Sequence, residues 1–373
     1  MAIQPSKTVN VGIVGCGGIS GVYLSNITHM FKEINVIGVC DLIRDRAKKA
    51  VEICPDAKLY KDMDEMFKDD DVDIVLNITR PYEHFGVSMA AIRAGKHVYS
   101  EKPLGITVDE GKALLKEAQK YNVSIGGAPD TFMGAGIQTC RKLIDDGFIG
   151  TPVGASAFMA GRGPESWHHD PEFFYKWGGG PMFDMGPYYV TALINLLGGI
   201  KSVAGMAKIS FPQRKITSEP KFGTVVDVET PTYINGLINF GCGAQGTIFT
   251  AFDVHKAELP IIEVYGSDGT LSVPDPNFFG GDVRLFRPED GEFRKIPLMF
   301  DYTGNNRALG LADMAKAIQT GREMRAGIQT TFHVLEVMSG FLTAARETRY
   351  VDIESTFERP APMVKAALPG YVE

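Results

Sequence analysis

Residues Val9 to Asp41 read VNVGIVGCGGISGVYLSNITHMFKEINVIGVCD, and this stretch decides the fold. Val9, Val11, Ile13 and Val14 form a short apolar run that stops at Gly15-Cys16-Gly17-Gly18-Ile19-Ser20. Apolar residues that run straight into glycines describe a buried parallel strand turning sharply into a helix. Gly15 permits the tight turn. Gly17 lets backbone N–H groups approach a pyrophosphate held at the positive end of the following helix. Ser20 stands where the G-x-G-x-x-G pattern has its last glycine, a small residue that still lets helix and strand pack closely. A second apolar run over 36–40 ends on Asp41, whose carboxylate suits two ribose hydroxyls and repels a 2′-phosphate. The stretch therefore predicts a dinucleotide site at Gly15, Gly17, Gly18, Ile19, Ser20 and Asp41, with NAD favoured over NADP. Glycines also serve ordinary turns, but a plain turn leaves Asp41 without a task.

Outward from this stretch, strands and helices alternate. A covering helix at Arg44–Ile53 precedes a short helix from Asp64, a strand over 73–78 and a helix over 82–94 that Gly95 stops. A strand at His97–Ser100, a helix at Val108–Tyr121 and a strand over 123–127 follow. This alternation means a doubly wound parallel sheet. Thr79-Arg80-Pro81, with His84 in the next helix, and Glu101-Lys102-Pro103 both lie at carboxyl ends of strands, where such sheets hold ligands. These seven residues, Pro103 apart, join the glycine loop as candidates for holding the cofactor.

After about residue 128 the pattern changes. A helix over 134–146 leads to strands over 153–160, 205–211, 232–240, 246–252, 261–266 and 283–286, several alternating apolar and polar residues. Helices over 307–320 and 331–347 and a short strand over 350–353 close the pattern. Consecutive strands with few helices suit a large open, mainly antiparallel sheet. The expected fold is α/β: an NAD-binding Rossmann domain in residues 1–128, and a second α/β domain on this sheet in residues 129–373.

Composition narrows the classes of function. With 373 residues and a net charge of −7, and no run of Lys and Arg, a nucleic-acid surface is disfavoured. No apolar run approaches membrane-spanning length and the first residues hold no signal core, so a cytoplasmic protein is expected. The five cysteines are far apart and form no C-x-x-C pair. They read as small buried hydrophobes, with neither a disulfide framework nor a zinc site.

The ordered set of the GCGGIS turn, Asp41, His84, Glu101-Lys102-Pro103, and Gly178-Gly179-Gly180 followed by Asp184-Met185-Gly186-Pro187-Tyr188 resembles the Gfo/Idh/MocA family. These are NAD(P)-dependent sugar oxidoreductases, and the order of elements matches over nearly the whole chain. The resemblance implies a Rossmann domain followed by a domain on a large open sheet, whose face commonly joins members into homo-oligomers. It puts Lys102 near the nicotinamide and substrate, and an acid and a base at Asp184 and Tyr188. Many members have histidine where this chain has Tyr188; some are similar to it in using tyrosine.

The chemistry explains the residue types. Oxidising a secondary alcohol sends a hydride to NAD and a proton to a base. Tyrosine titrates near pH 10, so it needs help at neutrality, and a nearby ammonium such as Lys102 favours the phenolate. Asp184 and Tyr188 are four residues apart and share a face if that turn is helical. Asp184 equally suits a helix N-cap, and Tyr188 a core position with Tyr189 beside it. Rivals for the base lie in Gly161-Arg162-Gly163-Pro164-Glu165-Ser166-Trp167-His168-His169-Asp170, a glycine-bounded interruption with paired histidines. Histidine is the easier base at neutral pH. Arg162, Trp167 and His255 join Lys102, Asp184 and Tyr188 as candidates for the substrate pocket. Adjacent side chains rarely converge on one ion, so no metal is expected.

The reading is a hydride transfer between NAD and a ring hydroxyl or ketone of a sugar, glycoside or cyclitol. A redox-neutral glycoside-cleaving enzyme, which oxidises, eliminates and re-reduces, fits the same residues. A non-enzymatic sensor of nucleotide or sugar is the third reading, and retention of Lys102, Asp184 and Tyr188 argues against it.

Overall fold

The computed structural model describes residues 8–365 and 370–373. Its first elements are β1 (Val9–Val14), α1 (Ser20–His29), β2 (Ile34–Cys40), α2 (Arg44–Ile53), β3 (Lys58–Leu59) and α3 (Met63–Phe67). Next come β4 (Ile74–Asn77), α4 (His84–Arg93), β5 (His97–Ser100), α5 (Val108–Tyr121) and β6 (Ile125–Gly127). The strands form one parallel sheet in the order β3-β2-β1-β4-β5-β6. The order turns back at β1 and β4, the switch point outside which doubly wound sheets bind ligands. All four residues of β4 are buried, as are Val9, Val11 and Ile13 of β1. Strands covered on both faces need apolar residues throughout, which is why these read as unbroken runs. Side chains mark the helix starts: Asp62 accepts the N–H of Glu65 at α3, and Thr107 that of Glu110 at α5.

The chain continues through α6 (Ala135–Asp145), β7 (Pro152–Ala160), α7 (Gly180–Asp184), α8 (Gly186–Leu197), β8 (Ile200–Lys208), β9 (Gln213–Lys215) and β10 (Val225–Asp227). It ends with β11 (Tyr233–Phe240), β12 (Gln245–Ala251), β13 (Ile262–Gly266), β14 (Thr270–Val273), β15 (Val283–Phe286), β16 (Phe293–Ile296), α9 (Leu309–Thr320), α10 (Ile328–Glu347) and β17 (Val351–Asp352). Nine strands form a sheet in the order β16-β15-β14-β13-β7-β12-β11-β8-β17. Its pairs are antiparallel except β12 with β7. Strands β9 and β10 make a separate ribbon.

One face of this sheet is covered. On β11, buried Ile234, Gly236, Ile238 and Phe240 alternate with exposed Asn235, Leu237 and Asn239. Helix α6 packs on β14 and β15, α8 on β7, and Phe341 of α10 stands over Gly236. The other face, with Met206, Leu237 and Thr247, is open to solvent. Helix α8 carries no apolar period because all twelve of its residues are buried, so the sequence pattern does not mark it. Strand β8 begins at Ile200 and ends at Lys208, ahead of the expected 205–211, because its ladder to β11 stops where Lys208 pairs with Tyr233.

Two compact units result: Met1–Gly134 with Phe300–Phe332 and Pro360–Glu373, and Ala135–Met299 with His333–Arg359. The single division expected after residue 128 is therefore drawn differently. Later segments return to the first unit through buried polar bonds. Gly127 N–H donates to Ala326 O at 2.9 Å, and Asn26 Nδ2 donates to the carbonyls of Asn305 and Arg307 at 2.8 Å each. Asp313, wholly buried, pairs with Arg322 and Arg325, and the Arg325 guanidinium donates to Ala361 O and Pro362 O. Removing either partner of a buried pair strands a charge, so these segments stay with the first unit. Four cysteines are buried and Cys242 is exposed, against the expectation that all pack as small hydrophobes. No helix among the described residues is long and apolar enough to cross a membrane.

Candidate functional site

In the first unit the glycine loop takes the expected shape. Gly15 has φ +95°, and a Cβ there would come within 2.9 Å of Ile78 O, so the turn admits glycine alone. The loop is pinned from β2: Gly15 N–H donates to Cys40 O at 2.9 Å and Cys16 N–H to Asp41 Oδ2 at 2.6 Å. The other Asp41 oxygen accepts Ile43 N–H at 2.6 Å. Ser20 Oγ donates to Gly17 O at 2.7 Å, which closes the loop onto α1. A Cβ added to Gly17, Gly18 or Gly21 meets nothing within 4 Å, and no side chain caps α1 at Ile19. Open space in front of uncapped helix N–H groups is what a pyrophosphate requires, so the residues present fit a dinucleotide. Burial and the Asp41 charge push the Cys16 thiol up to about 12, so it adds no charge to this cradle.

Two further strand ends are clipped together. Asn77 is fully buried; its Nδ2 donates to His84 O and Ser88 Oγ at 3.0 Å each, and its Oδ1 accepts Thr79 Oγ1–H at 2.7 Å. His84 is buried, with Nδ1 2.7 Å from Pro103 O and Nε2 3.1 Å from Thr79 O. Burial holds its pKa below the usual histidine value, so the neutral ring serves one carbonyl at a time. This imidazole sits in the protein interior as a tie between the Thr79 and Pro103 loops. Arg80 is exposed and its guanidinium donates to Tyr82 Oη, while Pro81 opens the 3₁₀ turn that leads into α4. Glu101 takes Tyr23 Oη–H at 2.7 Å and the N–H of Lys102 at 3.0 Å, which fixes the backbone that presents Lys102. Asp130, buried beside this cluster, accepts Gly310 N–H at 3.0 Å, and burial pushes its pKa up to about 6.

Sequence reasoning missed Asn77, Tyr23 and Asp130. A polar residue inside the apolar run 73–78 was the available signal for Asn77. Tyr23 lies in the helix that follows the glycine turn, with no signal of its own in the sequence.

In the second unit, the interruption after β7 is firmly anchored. Glu165, Arg214 and Asp253 form a buried ionic triad with contacts of 2.7 and 2.6 Å, and Tyr175 Oη donates to Glu165. Arg214, 49 residues away on β9, carried no sequence signal of this role. Ser218 Oγ donates to His168 O at 2.5 Å, and Lys221 bridges Asp170 and Glu172. The fold also brings Arg162 to His255, Nη1 to Nε2 at 3.3 Å. Trp167 and His169 are exposed, and His168 is half-buried. The two histidine rings stack at 4.6 Å.

His168 Nδ1 accepts the N–H of Asp170 at 3.0 Å. A ring nitrogen that accepts a backbone N–H carries no proton, so the neutral ring keeps its hydrogen on Nε2 and its lone pair is engaged. Burial first, and then the neighbouring His169, lower its pKa, against the upward pull of Asp170 and, last, of Asp184. Asp184 ends α7, and Tyr188 lies in the first turn of α8, donating its N–H to Met185 O at 3.0 Å. Met185 occupies the N-cap of α8 and no side chain caps it, so Asp184 is not an N-cap. Gly180, φ +77°, lets α7 start against Pro231 O, which a Cβ would approach to 2.8 Å. Tyr188 and Tyr189 are both buried, and burial pushes the Tyr189 phenol well up. Among the described residues, no three His, Cys, Asp or Glu side chains gather as a metal site.

Known proteins share this architecture. Residues 9–126 match the family model described as oxidoreductase family, NAD-binding Rossmann fold, and residues 137–272 match the GFO/IDH/MocA C-terminal domain. Inositol 2-dehydrogenase of Salmonella paratyphi B is 32% identical over 153 residues, 39% of this chain and 44% of that one. The chain thus spans less than half the length of that relative. The scyllo-inositol 2-dehydrogenase (NADP+) of Bacillus subtilis is 22% identical over 93% of this chain and 96% of that one. Levoglucosan dehydrogenase in complex with NADH has the same fold, with a TM-score of 0.79 at 19% identity, covering 94% and 100% of the two chains. A glycine loop open toward a helix N-terminus, an acid closing β2 and the matched second half together assign the chain to the Gfo/Idh/MocA oxidoreductase family, whose NAD-binding Rossmann domain it carries.

Proposed function

We propose that this protein is an NAD-dependent dehydrogenase that oxidises a ring hydroxyl of a sugar, glycoside or cyclitol, or reduces the matching ketone. The observation that carries the reading is the open glycine cradle closed by Asp41, on a chain whose two halves both match one oxidoreductase family. Inositol dehydrogenases among its relatives support a polyhydroxylated ring as substrate. NAD held there would supply the acceptor or donor of the hydride. The chain's own residues do the rest. Gly15 to Ser20 and Asp41 hold the nucleotide, with Thr79, Arg80, Pro81 and His84 shaping the neighbouring strand end. Lys102, oriented through Glu101, holds the reacting oxygen and favours its ionised form. Tyr188 takes the proton, and Asp184 binds ring hydroxyls together with Arg162 and His255. Engagement of the His168 lone pair supports Tyr188 over that histidine as the base.

The test is the absorbance of the purified protein at the nicotinamide band, with NAD and a panel of cyclitols, free sugars and glycosides. A ring polyol that raises NADH in proportion to its consumption supports the dehydrogenase. A glycoside that releases its aglycone while NADH stays flat moves the reading to redox-neutral cleavage. Nucleotide binding with no reaction on any ring leaves a sensor.

A further inference from the structure

Helix α1 begins at the open cradle and carries buried polar side chains along one side, Ser20, Tyr23 and Asn26. Ser20 closes the glycine loop, and Asn26 ties the helix to the carbonyls of Asn305 and Arg307. Tyr23, between them, is wholly buried, and its Oη donates to Glu101 Oε1 at 2.7 Å. The other oxygen of that carboxylate accepts Lys102 N–H at 3.0 Å, while Glu101 N–H donates to Asn77 O at 2.8 Å. On the far side of Lys102, the His84 ring of α4 stands 2.7 Å from Pro103 O. The main chain is thus gripped on both sides of Lys102, once from α4 and once from α1.

This arrangement asks more of Tyr23 than filling space. Burial first, and then the charges of Glu101 and Asp130, push its phenol well above the usual tyrosine value, so it keeps its proton and donates. A phenol on a carboxylate makes a short, charge-assisted bond, stronger than one between neutral groups. Glu101 is itself buried, so losing that donor leaves its carboxylate half-satisfied and loosens the hold on Lys102 N–H. At the start of the same helix no side chain caps the first turn, and the glycines around it leave open space. Tyr23 lies about 4.5 Å further along the axis than Ser20, within the turn that a bound pyrophosphate orders. A ligand that fixes one end of a single turn also fixes what the other end holds.

We propose that Tyr23 is a positioning residue that relays occupation of the dinucleotide cradle through Glu101 to Lys102, so that filling the cradle aligns the lysine. This rests on the parts that the dehydrogenase reading gives to the cradle and to Lys102.

The test follows Lys102 by NMR after reductive methylation of the lysines with isotope-labelled formaldehyde, its signal identified by its absence in Lys102→Arg. The probe is ADP-ribose, which fills the cradle but lacks the nicotinamide ring that the reading puts beside Lys102. In the unmodified protein ADP-ribose is expected to move the Lys102 signal. Tyr23→Phe should bind it within about threefold as tightly and leave that signal unmoved. With NAD and a ring polyol, kcat of Tyr23→Phe should fall about tenfold or more with little change in KM for NAD. Phenylalanine keeps the buried ring, and melting curves check the fold. Glu101→Gln, whose one oxygen replaces two, gives the same reading by a second route. The double variant should lose no more than the worse single one. A signal that moves equally in both proteins, or in neither, overturns the relay, and so do additive losses in the double variant. Loss of ADP-ribose binding in Tyr23→Phe also overturns it, because the phenol then holds the cradle itself. The expected shifts with no NADH from any polyol keep the relay and sink the dehydrogenase reading. NADH formed with an unmoved signal does the reverse.

Discussion

The carboxylate of Asp41 accepts the backbone N–H of Cys16 at 2.6 Å, so the acid that ends β2 is bonded to the glycine loop that follows β1. That bond holds the loop in shape; on the proposed reading the same side chain also presents negative charge to a ribose or a 2′-phosphate. The first purpose is local structure and the second is specificity, and a substitution separates them.

Asp41→Ser should therefore do two things. The preference for NAD over NADP, expected at about tenfold or more (about 1.4 kcal/mol), should shrink, because the repulsion of the 2′-phosphate is gone. Affinity for NAD should fall as well, because Cys16 loses its anchor. Measuring kcat/KM with both nucleotides checks the claim; equal turnover with NADP in the unmodified protein refutes it.

Lys102→Met should nearly abolish turnover while NAD binding persists, since on the proposed reading the nucleotide is held mainly by Gly15 to Ser20 and Asp41. Losing an interaction made in the transition state lowers kcat more than ground-state affinity. Titration of bound NAD by fluorescence, beside steady-state rates, makes the comparison. More than about a tenth of the activity remaining removes Lys102 from the chemistry.

Tyr188→Phe keeps the ring and deletes the hydroxyl. Its turnover should fall by about a hundredfold or more if this residue takes the proton. His168→Asn should cost about tenfold or less, through misplaced substrate, because the His168 lone pair is already engaged by Asp170. His169→Asn is the informative rival. All three need one substrate and parallel melting curves. A near-normal kcat in Tyr188→Phe moves the base to His169.

Acid should destabilise the protein through its buried histidines. His333 is fully buried, its Nε2 accepting Ile200 N–H at 3.0 Å and its Nδ1 lying 2.7 Å from Ser355 Oγ. Burial pushes its pKa down from 6.5 to about 4. Below pH 6.5 the unfolded chain takes up a proton that the folded chain refuses. The stabilisation is thus complete above pH 6.5 and is lost as pH falls toward 4, on the order of 3 kcal/mol. His97, whose Nδ1 accepts Ser124 N–H, is likewise pushed down to about 4 and adds to the same slope. Urea midpoints at pH 7, 6 and 5 should fall in step, and His333→Gln should flatten the fall.

The open face of the nine-stranded sheet is the surface through which we expect copies of the chain to associate. Met206 is 71% exposed and Leu237 50%, on the neighbouring strands β8 and β11. Replacing both with arginine should lower the solution mass by light scattering and leave the melting temperature of the protomer little changed. An unaltered mass places the contact elsewhere.

The nucleotide-binding half was legible because its signals are local. A buried strand, a glycine turn and a helix follow one another within Val9 to His29, and Asp41 closes the next strand by the same rule. Backbone sterics at Gly15 and burial on both faces of β1 and β4 leave that stretch few other conformations. His84 was visible at a helix start and Glu101 at a strand end, but their tasks were not. Only packing shows that His84 ties two loops and that Tyr23 fixes Glu101. In the second unit the paired histidines read as a surface loop, and tertiary structure made them a fixed one. The Glu165–Arg214–Asp253 triad joins residues far apart in the chain, and no periodicity encodes a pairing that exists only after the sheet has formed. Helix α8 escaped for the opposite reason: it is buried on every side, so its sequence has no face to reveal. Local sterics and strand burial were written in the order of the residues, whereas long-range ion pairs and wholly buried helices acquire meaning only once the chain has closed around them.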